Sequence, residues 1–170
     1  MVEDCTFIGN RAFPEDGGAL YTQGADVIRS CTFIGNTADD GGAIYGGGVI
    51  EDCTFVDNHA DYGGAINNSG LYRRCRFEDN SAGASGGAYA NISELSIHHA
   101  RFVDCDFIRN FAHATSGGAA YGGEAFINCR FIANRCKVTQ GGAIRAHAES
   151  TLIAGCTFSG NIAGGSGGAV

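Results

Sequence analysis

The stretch Ile50-Glu51-Asp52-Cys53-Thr54-Phe55-Val56-Asp57-Asn58-His59-Ala60-Asp61-Tyr62-Gly63-Gly64-Ala65-Ile66 decides the fold, because the chain repeats its skeleton seven times. An apolar residue comes three positions before a Cys, a Phe two after it, an Asn three further on and an Ala two beyond that. A loop then leads to Gly-Gly-Ala. The apolar row is Val2, Ile28, Ile50, Tyr72, Phe102, Phe126 and Ile153. The Cys row is Cys5, Cys31, Cys53, Cys75, Cys105, Cys129 and Cys156, and the Phe row is Phe7, Phe33, Phe55, Phe77, Phe107, Phe131 and Phe158. The Asn row is Asn10, Asn36, Asn58, Asn80, Asn110, Asn134 and Asn161, and only the sixth unit departs from the following Ala, with Cys136. The Gly-Gly pairs begin at Gly17, Gly41, Gly63, Gly86, Gly117, Gly141 and Gly167.

Successive cysteines are 26, 22, 22, 30, 24 and 27 residues apart, yet the block from Cys to Ala never changes length. Stacked strands with variable outward turns behave this way. The longest unit carries an excursion at Asn91 to Ala100. The period also suits a leucine-rich repeat, but paired glycines in each closing segment disfavour a helix there at about 1 kcal/mol per Gly. The coil is also longer than the roughly 18 residues of three hexapeptides. The chain is therefore expected to be all-β: one domain over 1–170, a right-handed parallel β-helix (β-solenoid) of about seven coils with about three short strands per coil. The coils begin near 2, 28, 50, 72, 102, 126 and 153, with no evident caps.

Equivalent residues in such a stack lie about 4.8 Å apart, so each row becomes a ladder. The Phe ladder is expected to stack, and the Asn amides to hydrogen-bond along the axis at a corner. Each Gly-Gly supplies positive φ or a close backbone approach. The Cys row reads as buried reduced thiols, since no Cys-x-x-Cys pair exists and parallel Cβ vectors at strand spacing exceed disulfide reach. Cys136 is expected to fill the Ala slot, with pairing to Cys129 the alternative.

Little else carries chemistry. Glu15, Asp16, Asp39, Asp40 and Asp61 precede the first three Gly-Gly pairs. Stacked, they form either a solvated acidic ridge or a Ca²⁺ candidate, since hard cations want several oxygens. His59, His98, His99, His113 and His147 occupy unlike positions, with His98-His99 near the excursion. The residue between Cys and Phe gives an outward row, Thr6, Thr32, Thr54, Arg76, Asp106, Arg130 and Thr157, whose charges interrupt a flat Thr array of the ice-binding kind. Asn67-Asn68-Ser69 and Asn91-Ile92-Ser93 match the glycosylation sequon. No catalytic residue and no cofactor are assigned.

The chain has 170 residues, 28 of them Gly and 8 Cys, with a net charge of -7 that speaks against non-specific nucleic-acid binding. No apolar run approaches the ~18–20 residues of a membrane-spanning helix. Its N-terminal residues, Met1-Val2-Glu3-Asp4, do not form a secretory signal.

The alternation of Phe-x-x-Asn with Gly-Gly-Ala, as in Cys53-Thr54-Phe55-Val56-Asp57-Asn58 followed by Gly63-Gly64-Ala65-Ile66, resembles the repeat of the polymorphic outer-membrane proteins. These are bacterial autotransporter adhesins. The resemblance covers nearly the whole chain and implies an exported, extracellular or cell-surface β-helix used in adhesion. The expected function is a non-catalytic surface or structural solenoid, acting by adhesion or by head-to-tail self-assembly into a filament. The alternatives are a polysaccharide-active enzyme of the pectin-lyase-like type, or a carbohydrate-binding module. The expected partners are a second copy, stacked coil on coil, and a host-surface or carbohydrate ligand. Val2-Glu3-Asp4-Cys5 opens in mid-coil and Gly167-Gly168-Ala169-Val170 stops almost where that phase resumes. This phase match suits either a piece of a longer solenoid or a stacking unit.

Overall fold

The computed structural model describes residues 1–23, 26–92, 100–146 and 151–170. Among these, all regular structure is β, and the strands stack in four parallel sheets of 7, 7, 5 and 6 strands. The first sheet comprises Val2–Glu3, Asp26–Arg29, Gly48–Glu51, Leu71–Arg73, Arg101–Val103, Ala125–Ile127 and Leu152–Ala154. The second holds Thr6–Ile8, Thr32–Ile34, Thr54–Val56, Arg76–Glu78, Asp106–Ile108, Arg130–Ile132 and Thr157–Ser159. The third contains His59–Tyr62, Ser81–Ser85, Phe111–Ala112, Arg135–Cys136 and Ile162–Ala163, and the bridges Arg11↔Thr37 and Thr37↔His59 extend it. The fourth contains Leu20–Tyr21, Ile44–Tyr45, Ile66–Asn67, Tyr89–Ala90, Ala120–Tyr121 and Ile144–Arg145. Each strand pairs with its equivalents one coil before and one coil after, which is a seven-coil β-solenoid.

A typical coil thus has four short strands where three were expected. The extra strand follows the Asn, where the sequence suggests only a turn. Backbone pairing is not lost at this corner: the N–H groups of Thr37, His59 and Ser81 each donate to the carbonyl of the preceding coil's Asn at 2.9 Å. The chain bends there without leaving the ladder, so its backbone groups stay paired.

The predicted rows run in register. Phe7↔Phe33, Phe33↔Phe55 and Phe55↔Phe77 pair directly. Their rings stack 4.8 to 4.9 Å apart and within 7° of parallel. From Phe33 to Phe131 these rings are fully buried, each worth roughly 1.5–3 kcal/mol. The apolar row turns aromatic at Tyr72, Phe102 and Phe126, and its rings meet the Phe ladder edge-on, as in Phe102–Phe107 at 5.3 Å and 69°. Tyr89 enters the fourth sheet's inward row beside the small Ala120 and packs edge-on against Phe102 at 4.8 Å. A large side chain next to a small one keeps the interior filled.

Each Asn amide spans three coils. Asn58 Nδ2 donates back to Phe33 O at 3.1 Å and forward to Asn80 Oδ1 at 2.9 Å, while the Asn58 backbone N–H also donates to Asn80 Oδ1 at 3.0 Å. Gly63 takes φ 63°, and a Cβ on it would also lie 2.1 Å from Ile66 O, while a Cβ on Gly64 would lie 2.1 Å from Gly87 O of the next coil.

Two further corners place non-glycine residues in the left-handed region. Asp4, Ser30, Asp52, Arg74, Asp104 and Asn128, each just before a ladder Cys, have φ between 50° and 55°. Asp57, Asp79, Arg109 and Ala133, each just before a ladder Asn, do the same at 52° to 56°. Asn and Asp tolerate this conformation best, and Gly9, Gly35, Gly155 and Gly160 occupy the remaining slots.

Candidate functional site

The interior ladders are taken up by the architecture. All eight cysteines are free; Cys31, Cys53, Cys75, Cys105, Cys129 and Cys136 are buried, and Cys5 and Cys156 are half-buried. The thiols do more than fill space. Cys31 Sγ donates to Arg29 O at 3.0 Å and accepts the Cys5 N–H at 3.4 Å, which ties down the left-handed corner at Ser30. Cys136 sits in the Ala slot, in register with Ala112 and Ala163, and is not bonded to Cys129. Burial pushes the Cys53 thiol up to about 12, and burial likewise raises that of Cys105. Thiolate attack requires ionisation and access. A thiol-reactive disulfide reagent is therefore expected to titrate Cys5 and Cys156 in the native protein, and the other six only after unfolding. Rapid native titration of all eight would contradict this packing.

The acidic ridge forms in the first three coils. Asp39 N–H donates to Glu15 O, and Asp61 N–H donates to Asp39 O at 2.7 Å. Asp40 pairs with Tyr62, so the column of Asp16 and Asp40 ends there in an aromatic residue. Partial burial raises Asp40 to about 6, with Asp16, Asp61 and Asp39 adding to the effect. No three His, Cys, Asp or Glu side chains among the described residues are grouped to hold a metal ion. The ridge is an electrostatic cost. A carboxyl raised in the folded state stays protonated there while the unfolded chain, near ~3.9, ionises. Stability from this group is therefore greatest below about pH 4 and is lost as pH rises through about 6. Asp52 and Glu78 are lowered by hydrogen bonds from Arg74 and Arg76, so their contributions fade only at pH below the ordinary carboxylate values. Asp40→Asn is expected to flatten the decline between pH 4 and 6 and to stabilise the protein at pH 7 by up to ~1 kcal/mol after solvent screening. Urea unfolding at pH 4.5 and 7 tests this.

The outward row between Cys and Phe is in register from Thr6 to Thr157. Two of its three charges pair within the row, where Arg130 holds Asp106 through two nitrogens at 2.5 and 2.6 Å, and Arg76 pairs instead with Glu78. The sequon residue Asn67 is buried, which removes it as a glycosylation acceptor. His98, His99, His147 and Ser93 of the second sequon lie outside the described residues. Among the remaining histidines, His113 packs on Phe111 at 4.2 Å and His59 hydrogen-bonds Ser81 at 2.9 Å, so the two have different roles.

A groove of about 1100 Å³ lies on the corner between the fourth and first sheets. It arises from unequal links. Only Gly46 and Gly47 join Ile44–Tyr45 to Gly48–Glu51, and only residues 68–70 join Ile66–Asn67 to Leu71–Arg73. The equivalent link is four residues in the coil before, from Tyr21 to Asp26, and ten in the coil after, from Ala90 to Arg101. The short links set the surface back. Gly46, at φ 114°, permits this because a Cβ there would lie 2.1 Å from Thr22 O. Tyr21 and Tyr45 stack on the wall at 5.4 Å, and Asp26, Arg73, Arg101 and Glu124 supply charge around the rim. Sequence reasoning missed this groove, because only link lengths compared between neighbouring coils signal it.

The class this geometry defines is a parallel β-solenoid with its consensus residues turned inward and its variable residues outward. A profile of the Chlamydia polymorphic membrane protein repeat matches residues 4–23, 30–50, 52–69 and 155–170. The matched segments are thus similar to that repeat, and the coils between them keep the same Phe and Asn rows in register. That family is one of surface-exposed outer-membrane proteins, and the likeness supports a cell-surface repeat protein. No curated protein and no solved structure gives a match. No helix among the described residues is long and apolar enough to cross a membrane.

Proposed function

We propose that the chain is a non-catalytic section of a surface β-solenoid that works in adhesion, displaying outward side chains on a rigid stack. One observation carries this: the residues that every repeat shares are buried and bonded to their own equivalents, so chemical variety is left to the outer rows and the groove. Fluorescent beads coated with the purified chain are expected to bind cultured epithelial cells saturably, with competition by soluble chain. Binding no greater than that of albumin-coated beads would remove the adhesive role.

Self-assembly is the other form of this function. In the 170-residue chain, the second sheet ends on Thr6–Ile8 at one face and Thr157–Ser159 at the other, each open to another in-register strand. Electron microscopy and sedimentation of the purified chain decide it: fibres support stacking, and a monomer at high concentration ends the idea.

A further inference from the structure

We propose that the groove at Tyr21, Tyr45 and Arg101 is a binding site for a neutral oligosaccharide. This deepens the adhesive function and rests on it, by naming the chemistry of the ligand on the opposing surface. Three features select that class.

The first is the aromatic wall. Tyr21 is 65% exposed, although its ring is held in place by stacking on Tyr45 at 5.4 Å. An exposed but pre-ordered ring costs little side-chain entropy on binding. A pyranose has a face of C–H groups that packs on such a ring, while its hydroxyls remain at the rim. The second feature is charge balance. Asp26 and Glu124 oppose Arg73 and Arg101 around the groove, two of each sign. An anion entering would meet both carboxylates and a cation both guanidinium groups, whereas sugar hydroxyls donate to the former and accept from the latter. Arg73 is already held by Glu51 at 3.3 Å, and Arg101 forms no ion pair among the described residues. Arg101 is exposed and available to a hydroxyl pair.

The third feature is shape. The short links give the groove a floor at Gly46, Gly47 and Gly48 from which no side chain projects. A volume of about 1100 Å³ accommodates a few sugar rings, at the upper end of ordinary ligand clefts.

The test uses the whole chain on an array of neutral and charged glycans, followed by calorimetric titration of the bound neutral glycan. Binding by neutral members is expected, with affinity falling at least tenfold in Tyr21→Ala and in Arg101→Ser. Both side chains point outward, and circular dichroism confirms the fold of each variant. Silence across the array, binding by charged glycans alone, or affinity within twofold of wild type in both variants overturns the proposal. The bead assay separates the two ideas. Cell binding that survives Tyr21→Ala and excess free glycan leaves adhesion standing and removes the groove from it. Glycan binding without cell binding leaves the groove standing and removes adhesion.

Discussion

Asn80→Ala is expected to destabilise the protein by about 3–5 kcal/mol, read as a drop in the urea midpoint at unchanged slope. Asn80 Oδ1 accepts the Asn58 backbone N–H at 3.0 Å and Asn58 Nδ2 at 2.9 Å. Its own Nδ2 donates to Phe55 O and to Asn110 Oδ1, both at 3.0 Å. Truncation removes all four bonds and strands the Asn58 N–H and a lone pair of Phe55 O in a fully buried corner. Each stranded group costs about 1–3 kcal/mol. Asn80→Asp should do no better. It keeps an acceptor but turns lone pairs toward Phe55 O and Asn110 Oδ1, and it buries a charge. A loss below about 1 kcal/mol for Asn80→Ala would mean that water replaces the amide or that the corner relaxes.

Gly64→Ala is expected to cost about 3 kcal/mol or more, at the upper end of overpacking substitutions. The added Cβ would lie 2.1 Å from Gly87 O, 2.4 Å from Ser81 O and 2.7 Å from Ser81 C. All three atoms are backbone of the adjoining coil, so no rotamer change relieves the overlap. The coils must part, which weakens the Ala65 N–H bond to Ala88 O, now 2.9 Å, and its neighbours. Gly35→Ala is the control. Gly35 has φ 61° but open space around its Cβ position, and Ala133 occupies the equivalent slot at φ 54°. Only the left-handed backbone term of roughly 1–2 kcal/mol applies there. Similar losses for the two variants would show that backbone conformation, and not coil approach, sets the need for glycine.

The sequence carries the solenoid plainly because seven copies of one pattern vote on each position. A buried column tolerates only the side chain that fits above and below it, so Cys53, Phe55, Asn58 and Gly64 recur by steric necessity. The third sheet is harder to read. Thr37, His59 and Ser81 share no residue type, and what keeps them extended is a backbone bond to an Asn carbonyl. The left-handed corners are hidden similarly. Residues before each Cys vary among Asp, Ser, Arg and Asn, since outward corners have room for any side chain that accepts positive φ. The acidic ridge was legible as charge, but the raised Asp40 depends on burial that spacing does not encode. The groove depends on relative link lengths in neighbouring coils, a property of pairs of repeats and not of any one.

The Asn ladder also gives the molecule a direction. From Asn10 to Asn134, one amide N–H of each ladder Asn donates to the Oδ1 of the coil that follows, and from Asn36 on the other returns to a Phe carbonyl of the coil that precedes. Each Asn-to-Asn bond of the column therefore has the same sense, donor in one coil and acceptor in the next. A reversed coil would break that sequence of N–H and Oδ1. Any continuation of this column, within a longer chain or between copies, is obliged to run one way, and the resulting rod would have distinguishable plus and minus ends.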